Sequence, residues 1–488
     1  MTEPATGAAA ASGYRVPLAR PRVRRMTAPP RPPSTMWSLL GMFCILLGLT
    51  LFGLGQWILG KPMEGGLIAA PILAVVSMGI LNRPAKRETS FDLRGLLLTS
   101  IGLRLICAFL RFLNPADSVV YNTEGARLAN DFRGLNFTNV VIGGPVPGTG
   151  VIRYLAGIGH LFTDSNWFGT TMIWTFMAFF ASWFAYRAVE IALPSANKKR
   201  YAMFVFLWPS VIYWPSSLGK DAWMAVTIAL AALGLAKMLT RGRGGFLLAG
   251  IGLAGAAIVR PHVAALVFAA MAFAFLIAKR DQIRGTGQIG LSTVTKFFGI
   301  LLLAIAAAVL APATAKFLKV DSLDSSGISA AFASTQAQTS QGGSSFHPIN
   351  PNSPIGYPAA VFTVFFRPLP GELKGVTGLA ASLEGFVLLM LCIAGWRRFL
   401  GALHIWRTEA YVTFALVYLA AFGYAFSAIA NFGILTRERV QALPYLFVPL
   451  SLPKWRRPPS EKRGRKSGTG SGRLRAPLRA PLATKPGR

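Results

Sequence analysis

A few side chains stand out because their chemistry does not suit the apolar runs beside them. Asp117, Tyr121 and Glu124 follow one such run, within Asn114-Pro-Ala-Asp-Ser-Val-Val-Tyr-Asn-Thr-Glu-Gly125. Lys220 and Asp221 end the turn Pro209-Ser-Val-Ile-Tyr-Trp-Pro-Ser-Ser-Leu-Gly-Lys-Asp221, and Arg260 and His262 flank Pro261. Arg367 and Glu372 share Phe366-Arg-Pro-Leu-Pro-Gly-Glu372; Arg437, Glu438 and Arg439 close Asn431-Phe-Gly-Ile-Leu-Thr-Arg-Glu-Arg439. Charged groups inside or beside membrane spans are costly unless paired or hydrated, so they mark function by default. Convergent Arg and Lys suit a phosphate, which they clamp through charge-assisted hydrogen bonds. A carboxylate among them suits removal of a proton from an incoming hydroxyl. Together they predict transfer of a group from a lipid phosphate to an acceptor at a membrane surface. Simpler roles remain open: Asp117 as a helix cap, Lys220–Asp221 as a helix-start ion pair, and Arg260, His262, Arg437 and Arg439 as lipid-headgroup contacts.

The elements that must position these groups are hydrophobic helices. The 488 residues are 53% hydrophobic and only 14% charged, and the mean hydropathy is +0.48. A soluble chain is about 25% charged, so an ordinary cytosolic enzyme, a disordered chain and a fibrous one are all excluded. A span needs about 20 apolar residues. That window predicts twelve spans, near 37–60, 66–82, 95–113, 167–193, 201–218, 222–239, 245–260, 262–278, 295–316, 377–396, 410–430 and 433–452. Their interiors look nearly free of acids, with Glu190 and Glu384 toward span ends. The expected fold class is all-α: a polytopic helical membrane protein with two long loops, 114–166 and 317–376. The first predicts short interfacial helices; the second, rich in Ser, Gln, Gly and Asn, predicts a mobile loop or lid.

The net charge of +32 resembles a nucleic-acid signal, but its distribution does not. Six arginines lie between Arg15 and Arg31, and twelve basic residues lie between Lys454 and Arg488, in tails without apolar periodicity. The tails, 1–36 and 454–488, are expected to be disordered and to lie against anionic lipid, with no nucleic-acid partner. Short connections carry Arg83, Lys86, Arg87 and Arg94, then Lys198, Lys199 and Arg200, then Arg241 and Arg243, then Lys279, Arg280 and Arg284, then Arg397, Arg398 and Arg407. The positive-inside bias puts these and both termini in the cytoplasm and both long loops outside. Cys44, Cys107 and Cys392 fall in apolar runs, and His160 and His347 lack neighbours at ligand spacing, so no metal site is expected. No cofactor is indicated, and a divalent cation is left open.

The acidic segment Asp117 to Gly125, the Trp-Pro-Ser-Ser-Leu-Gly-Lys-Asp turn and the closing Asn-Phe-Gly-Ile-Leu-Thr-Arg-Glu-Arg resemble bacterial GT-C superfamily glycosyltransferases. The nearest are the protein-mannosyltransferase-like and aminoarabinose-transferase-like enzymes. The resemblance implies a GT-C-like core at 83–316 and further helices at 377–453, with 37–82 as an added hairpin. It implies a bacterial plasma-membrane enzyme that moves a sugar from a polyprenyl-phosphate donor to a cell-envelope glycan or protein. Asp117 would be the base, and Lys220, Arg260, Arg437 and Arg439 the phosphate contacts. Ser118 stands where the family pairs a second acid, so Glu124 and Asp131 are the alternatives. Tyr121, Asp221, His262 and Arg367 complete the expected substrate site. An oligosaccharide repeat-unit polymerase and a lipid-linked-glycan flippase are the competing expectations.

Overall fold

The structure is a computed structural model that describes residues 36–240, 244–277, 304 and 307–455. Nearly all of both basic tails, the Arg241/Arg243 and Lys279–Arg284 connections and much of the 295–316 run lie outside the described residues.

The described chain is helical. In order the helices are α1 Met36–Leu59, α2 Glu64–Arg87, α3 Leu93–Leu113, α4 Ser118–Arg133, α5 Thr149–Leu161, α6 Trp167–Ala192, α7 Lys198–Leu207, α8 Pro209–Tyr213 and α9 Lys220–Thr240. They continue with α10 Gly245–Ala257, α11 Pro261–Ile277 and α12 Ala307–Leu318. The rest are α13 Ser325–Thr339, α14 Gly356–Phe366, α15 Val376–Ala394, α16 Trp396–Ile405, α17 Ala410–Phe426, α18 Phe432–Glu438 and α19 Leu443–Ser451. Among the described residues the only β-pairing is an isolated antiparallel bridge, Ser345 to Asn431. Short polar residues set several helix starts by accepting orphan backbone N–H groups: Asp92 before α3, Asn166 before α6, Asn197 before α7, Asp324 before α13 and Asn431 before α18.

Among the described residues six helices, α1, α2, α3, α6, α9 and α15, are long and apolar enough to cross a membrane; α16 and α17, bent by 116° at their junction, make a seventh if taken as one span. Among the described residues, helices of that length number six or seven, against the twelve spans expected for the chain. Hydropathy windows register composition, whereas a span also needs unbroken backbone bonding. The 201–218 run breaks at Trp208, whose extended backbone lets Pro209 open α8. The 433–452 run divides into α18, a 3-10 turn and α19, with Pro444 and Pro449 in its second half. α10 and α11 have 13 and 17 residues, shorter than the roughly 20 a span requires.

Small residues let the long helices approach closely, the usual device where apolar burial alone gives little driving force. Gly41, Gly48 and Gly55 recur at heptad spacing on α1 and face α3; a Cβ at Gly41 or Gly48 would stand 2.6 or 2.7 Å from the Cβ of Leu98 or Leu105. Gly102 answers from α3, 2.5 Å from Cys44 in the same sense. Gly234 and Gly252 join α9 to α10 against Ala249 and Ala231, while Gly125 and Gly157 join α4 to α5.

Both long loops are structured where described. The first consists mainly of α4 and α5, as expected. His160 of α5 is buried, with Nδ1 2.9 Å from the Thr170 hydroxyl of α6; burial lowers its pKa to about 4. The second, expected as a mobile lid, contains α13, α14 and a strap at 341–346 tied to the start of α18. Ser344 Oγ donates to Asn431 Oδ1 at 2.8 Å, and the Phe346 N–H donates to the Ala430 carbonyl at 2.9 Å. The α1–α3 contact leaves no room for a branched side chain. Gly48→Val is expected to cost about 1–3 kcal/mol, read as a lowered unfolding temperature in nanodiscs, whereas Gly53→Ala, which meets nothing within 4 Å, should leave it nearly unchanged.

Candidate functional site

The predicted residues meet at the end of the bundle that carries the long loops. Arg437, on α18, is the joint. Its Nε donates to Asp221 Oδ2 at 2.6 Å and its Nη1 to Asp117 Oδ2 at 3.0 Å. One guanidinium thus ties α18 to the starts of α4 and α9. Beside it, Arg260, from the α10–α11 turn, grips Glu438 with both terminal nitrogens, Nη2 reaching Oε1 at 2.6 Å. Gln441 Nε2 donates to Glu438 Oε2 at 2.7 Å. Lys220 lies within electrostatic reach of Arg260, Glu438, Arg437 and Asp117, yet makes no ion pair with any described residue. Tyr121 is buried against the turn; a Cβ at Gly219 would lie 3.6 Å from its ring. Burial first, then the nearby Asp117 carboxylate, pushes its phenol above the ordinary range.

The formal charges balance: Lys220, Arg260 and Arg437 against Asp117, Asp221 and Glu438. The carboxylates differ in access. The Asp221 and Glu438 side chains are 5% and 8% exposed, that of Asp117 54%. Asp117 occupies the N-cap position of α4 but makes no capping bond; it serves Arg437 instead. Its Oδ1 is open, without a hydrogen-bond partner among the described residues. The arrangement can hold an anion through Lys220 and the outer edge of Arg437 while presenting a carboxylate oxygen to a hydroxyl.

Other predicted residues lie apart from this ion-pair cluster. Glu124 pairs with Arg127 at 3.3 Å, and Asp131 meets the same arginine at 3.7 Å. Arg367 pairs with Glu372 and lies over the rings of Phe346 and Phe432, 5.4 and 4.9 Å from their centroids. Burial tends to raise the Glu372 carboxyl, but bonds from Arg367 and the Leu369 N–H outweigh it, leaving it below its usual range. Arg439, 1% exposed, donates to the carbonyls of Phe365 and Arg367 at 3.2 and 3.0 Å. It therefore braces the backbone instead of facing a ligand. His262 stacks on Phe317, 4.9 Å between centroids. Among the described residues no three or more His, Cys, Asp or Glu side chains come together as a metal site would need.

Sequence reading passed over several buried polar groups. Arg104, midway along α3, donates to Ser182 Oγ of α6 at 2.8 Å, and Arg111 packs over Tyr213 and Trp214. Their signal was a charge inside an apolar window, diluted by the leucines around it. Glu384 is placed differently from the expectation: it sits midway along α15 and accepts from Ser210 Oγ at 2.5 Å. Nearby, an apolar groove of about 710 Å3 runs between α14, α15, α16 and α17, lined by Tyr357, Phe365, Phe366, Leu389, Trp396 and Leu419. Arg439 donates to the Phe365 carbonyl, so the groove wall and the arginines of the loop-bearing end share one backbone segment.

No family model, curated protein or solved structure matches the chain. The site's own energetics are testable. Arg260 and Glu438 are both largely buried, and removing one partner of such a pair strands the other charge. Glu438→Ala is expected to destabilise the protein by about 3–5 kcal/mol, measured as a loss of denaturant midpoint, and by more than the double variant Arg260→Met/Glu438→Leu.

Proposed function

We propose that the chain is a membrane glycosyltransferase that moves a sugar from a polyprenyl-phosphate donor to a cell-envelope hydroxyl on the extracytoplasmic face. The supporting observation is the presence, in one cluster, of an exposed carboxylate and a lysine that makes no ion pair with any described residue. Asp117 keeps Oδ1 open while Oδ2 is held by Arg437, and Lys220 stands beside them. The basic connections support the orientation, with both termini in the cytoplasm. The apolar groove supports a lipid-linked donor, since its lining suits a hydrocarbon chain and little else.

In this mechanism the acceptor oxygen attacks the anomeric carbon as the bond from that carbon to the phosphate oxygen breaks. Its proton passes to Asp117, and the departing electron pair stays on the polyprenyl phosphate. Lys220 and Arg437 offset the charge that develops there, the larger contribution in sites of this kind. Asp221 and Glu438 hold the guanidinium groups in place, so little reorganisation is needed as that charge appears. Arg104, buried midway along α3, and Glu384, half-buried midway along α15, favour a second reading: translocation of a lipid-linked glycan.

Full-length protein in nanodiscs, supplied with radiolabelled polyprenyl-phosphate sugars and envelope acceptors, tests the assignment. Asp117→Asn should lower transfer by about 10²–10⁴-fold while donor binding persists; normal turnover would remove Asp117 as the base. No transfer by the wild type, with lipid-linked oligosaccharide still bound, would favour translocation. Lys220→Ala should raise the donor KM on the order of tenfold, about 1.4 kcal/mol, with kcat less affected. An unchanged donor dependence would take Lys220 out of the phosphate site.

A further inference from the structure

The second long loop has an unusual composition for a chain of net charge +32. From Ser325 to Phe366 it contains no Asp, Glu, Lys or Arg, yet it is rich in Ser, Thr, Gln and Asn. Polarity without charge is what α13 and the strap at 341–346 present. Gln336, Gln341 and Ser345 are exposed, and their side chains make no hydrogen bond to any described residue. They are held in place all the same. Thr339 Oγ1 accepts from the Ala430 N–H at 2.9 Å, and the Gln341 carbonyl accepts from Asn431 Nδ2 at 2.9 Å. The Phe432 N–H donates to the Ser344 carbonyl at 3.0 Å, and the rings of Phe346 and Phe432 stack at 4.1 Å. The strap is thereby fixed to the first turn of α18, the helix whose other end carries Arg437. Along that helix Phe432 and Arg437 are separated by on the order of 8 Å.

We propose that α13 and the 341–346 strap form the acceptor-binding surface, and that the acceptor is an uncharged glycan. Amide and hydroxyl side chains each donate and accept, so they match the mixed hydrogen-bonding of sugar hydroxyls. Without a formal charge they cost far less to desolvate than Lys, Arg or a carboxylate would. The charges that border the surface are already engaged: Arg367, over the Phe346 ring, is paired with Glu372, and Asp324 caps α13 by accepting the Gly327 N–H, so α13 and the strap offer an anionic acceptor or a cationic peptide little to pair with. The short separation along α18 lets a glycan lying on the strap extend its terminal hydroxyl toward Asp117 Oδ1. The surface is also pre-ordered, so binding need not include the entropy cost of folding a free loop.

The inference deepens the transferase assignment and rests on it for the word acceptor, but binding is measurable without turnover. Full-length protein in nanodiscs would be mixed with neutral oligosaccharides derived from mannan, arabinan and galactan, with an anionic oligogalacturonate, and with a cationic peptide. Ligand contact is read by saturation-transfer NMR. At least one neutral glycan should bind about tenfold more tightly than the oligogalacturonate or the peptide, ~1.4 kcal/mol. The triple variant Gln336→Ala/Gln341→Ala/Ser345→Ala should lose that binding about tenfold at an unchanged unfolding temperature, and Gly53→Ala, remote from the site, should keep it. No neutral glycan bound, equal binding of the oligogalacturonate or the peptide, or undiminished binding by the triple variant would overturn the proposal. Glycan binding without transfer from any donor would overturn the transferase assignment alone. Transfer that persists in the triple variant with an unchanged acceptor KM would overturn the acceptor surface alone.

Discussion

Arg437 is the constraint around which the rest of the loop-bearing end is organised. Its guanidinium carries two acids that come from helices far apart in sequence, Asp117 before α4 and Asp221 in α9. An ionised aspartate as buried as Asp221 cannot persist without a partner. Once Arg437 meets it, the start of α9 and the whole of α18 are fixed relative to each other, and α4 is drawn in through the second nitrogen. The bidentate grip of Arg260 on Glu438, the next residue along, locks the α10–α11 turn to the same helix. A helix of seven residues, too short to be stable by itself, is thus held from several sides by ion pairs and by the Asn431 cap.

Such a cluster needs a frame that does not move, and the frame is made by close backbone contact. Glycines at heptad spacing on α1 and the small residues of α9 and α10 bring helices near enough for dispersion to act along their full length. Arg104 of α3 is buried in this frame and donates to the Ser182 hydroxyl of α6, its Nε and Nη1 finding no partner among the described residues; Glu384, half-buried on α15, accepts from Ser210. The Arg104–Ser182 bond favours one register of α3 against α6, because a slipped helix would lose that partner too.

Charge balance gives the site its chemical character. Three cations and three carboxylates meet, but their pairings are unequal, so a lysine and one oxygen of an exposed aspartate stay open while the other groups are engaged. A site preset in this way changes little when charge appears on a bound phosphate. The uncharged strap beside it and the apolar groove behind it offer quite different surroundings, one suited to hydroxyl groups and the other to hydrocarbon.

Much of this was legible in the sequence. Composition alone established a helical membrane chain, and the rule that charges do not sit idle beside spans singled out Asp117, Lys220, Asp221, Arg260 and Arg437 before any contact was known. Asp117, the helix cap that the sequence suggested, makes no capping bond, whereas Asp92, Asn166, Asn197, Asp324 and Asn431 do. What only the tertiary structure decided was pairing and continuity. Arg439 looks no different from Arg437 in sequence, but the turn after Glu438 aims it into the backbone of Phe365 and Arg367. Glu124 shares a helix with Asp117 yet is taken up by Arg127. Apolar windows could not reveal that 201–218 and 433–452 are broken, because a hydropathy sum is blind to where the backbone bonding stops. Arg104 was hidden for a related reason: whether a lone charge in a span finds any partner depends on a neighbour from another helix, and the Ser182 hydroxyl that meets one of its nitrogens is supplied by packing.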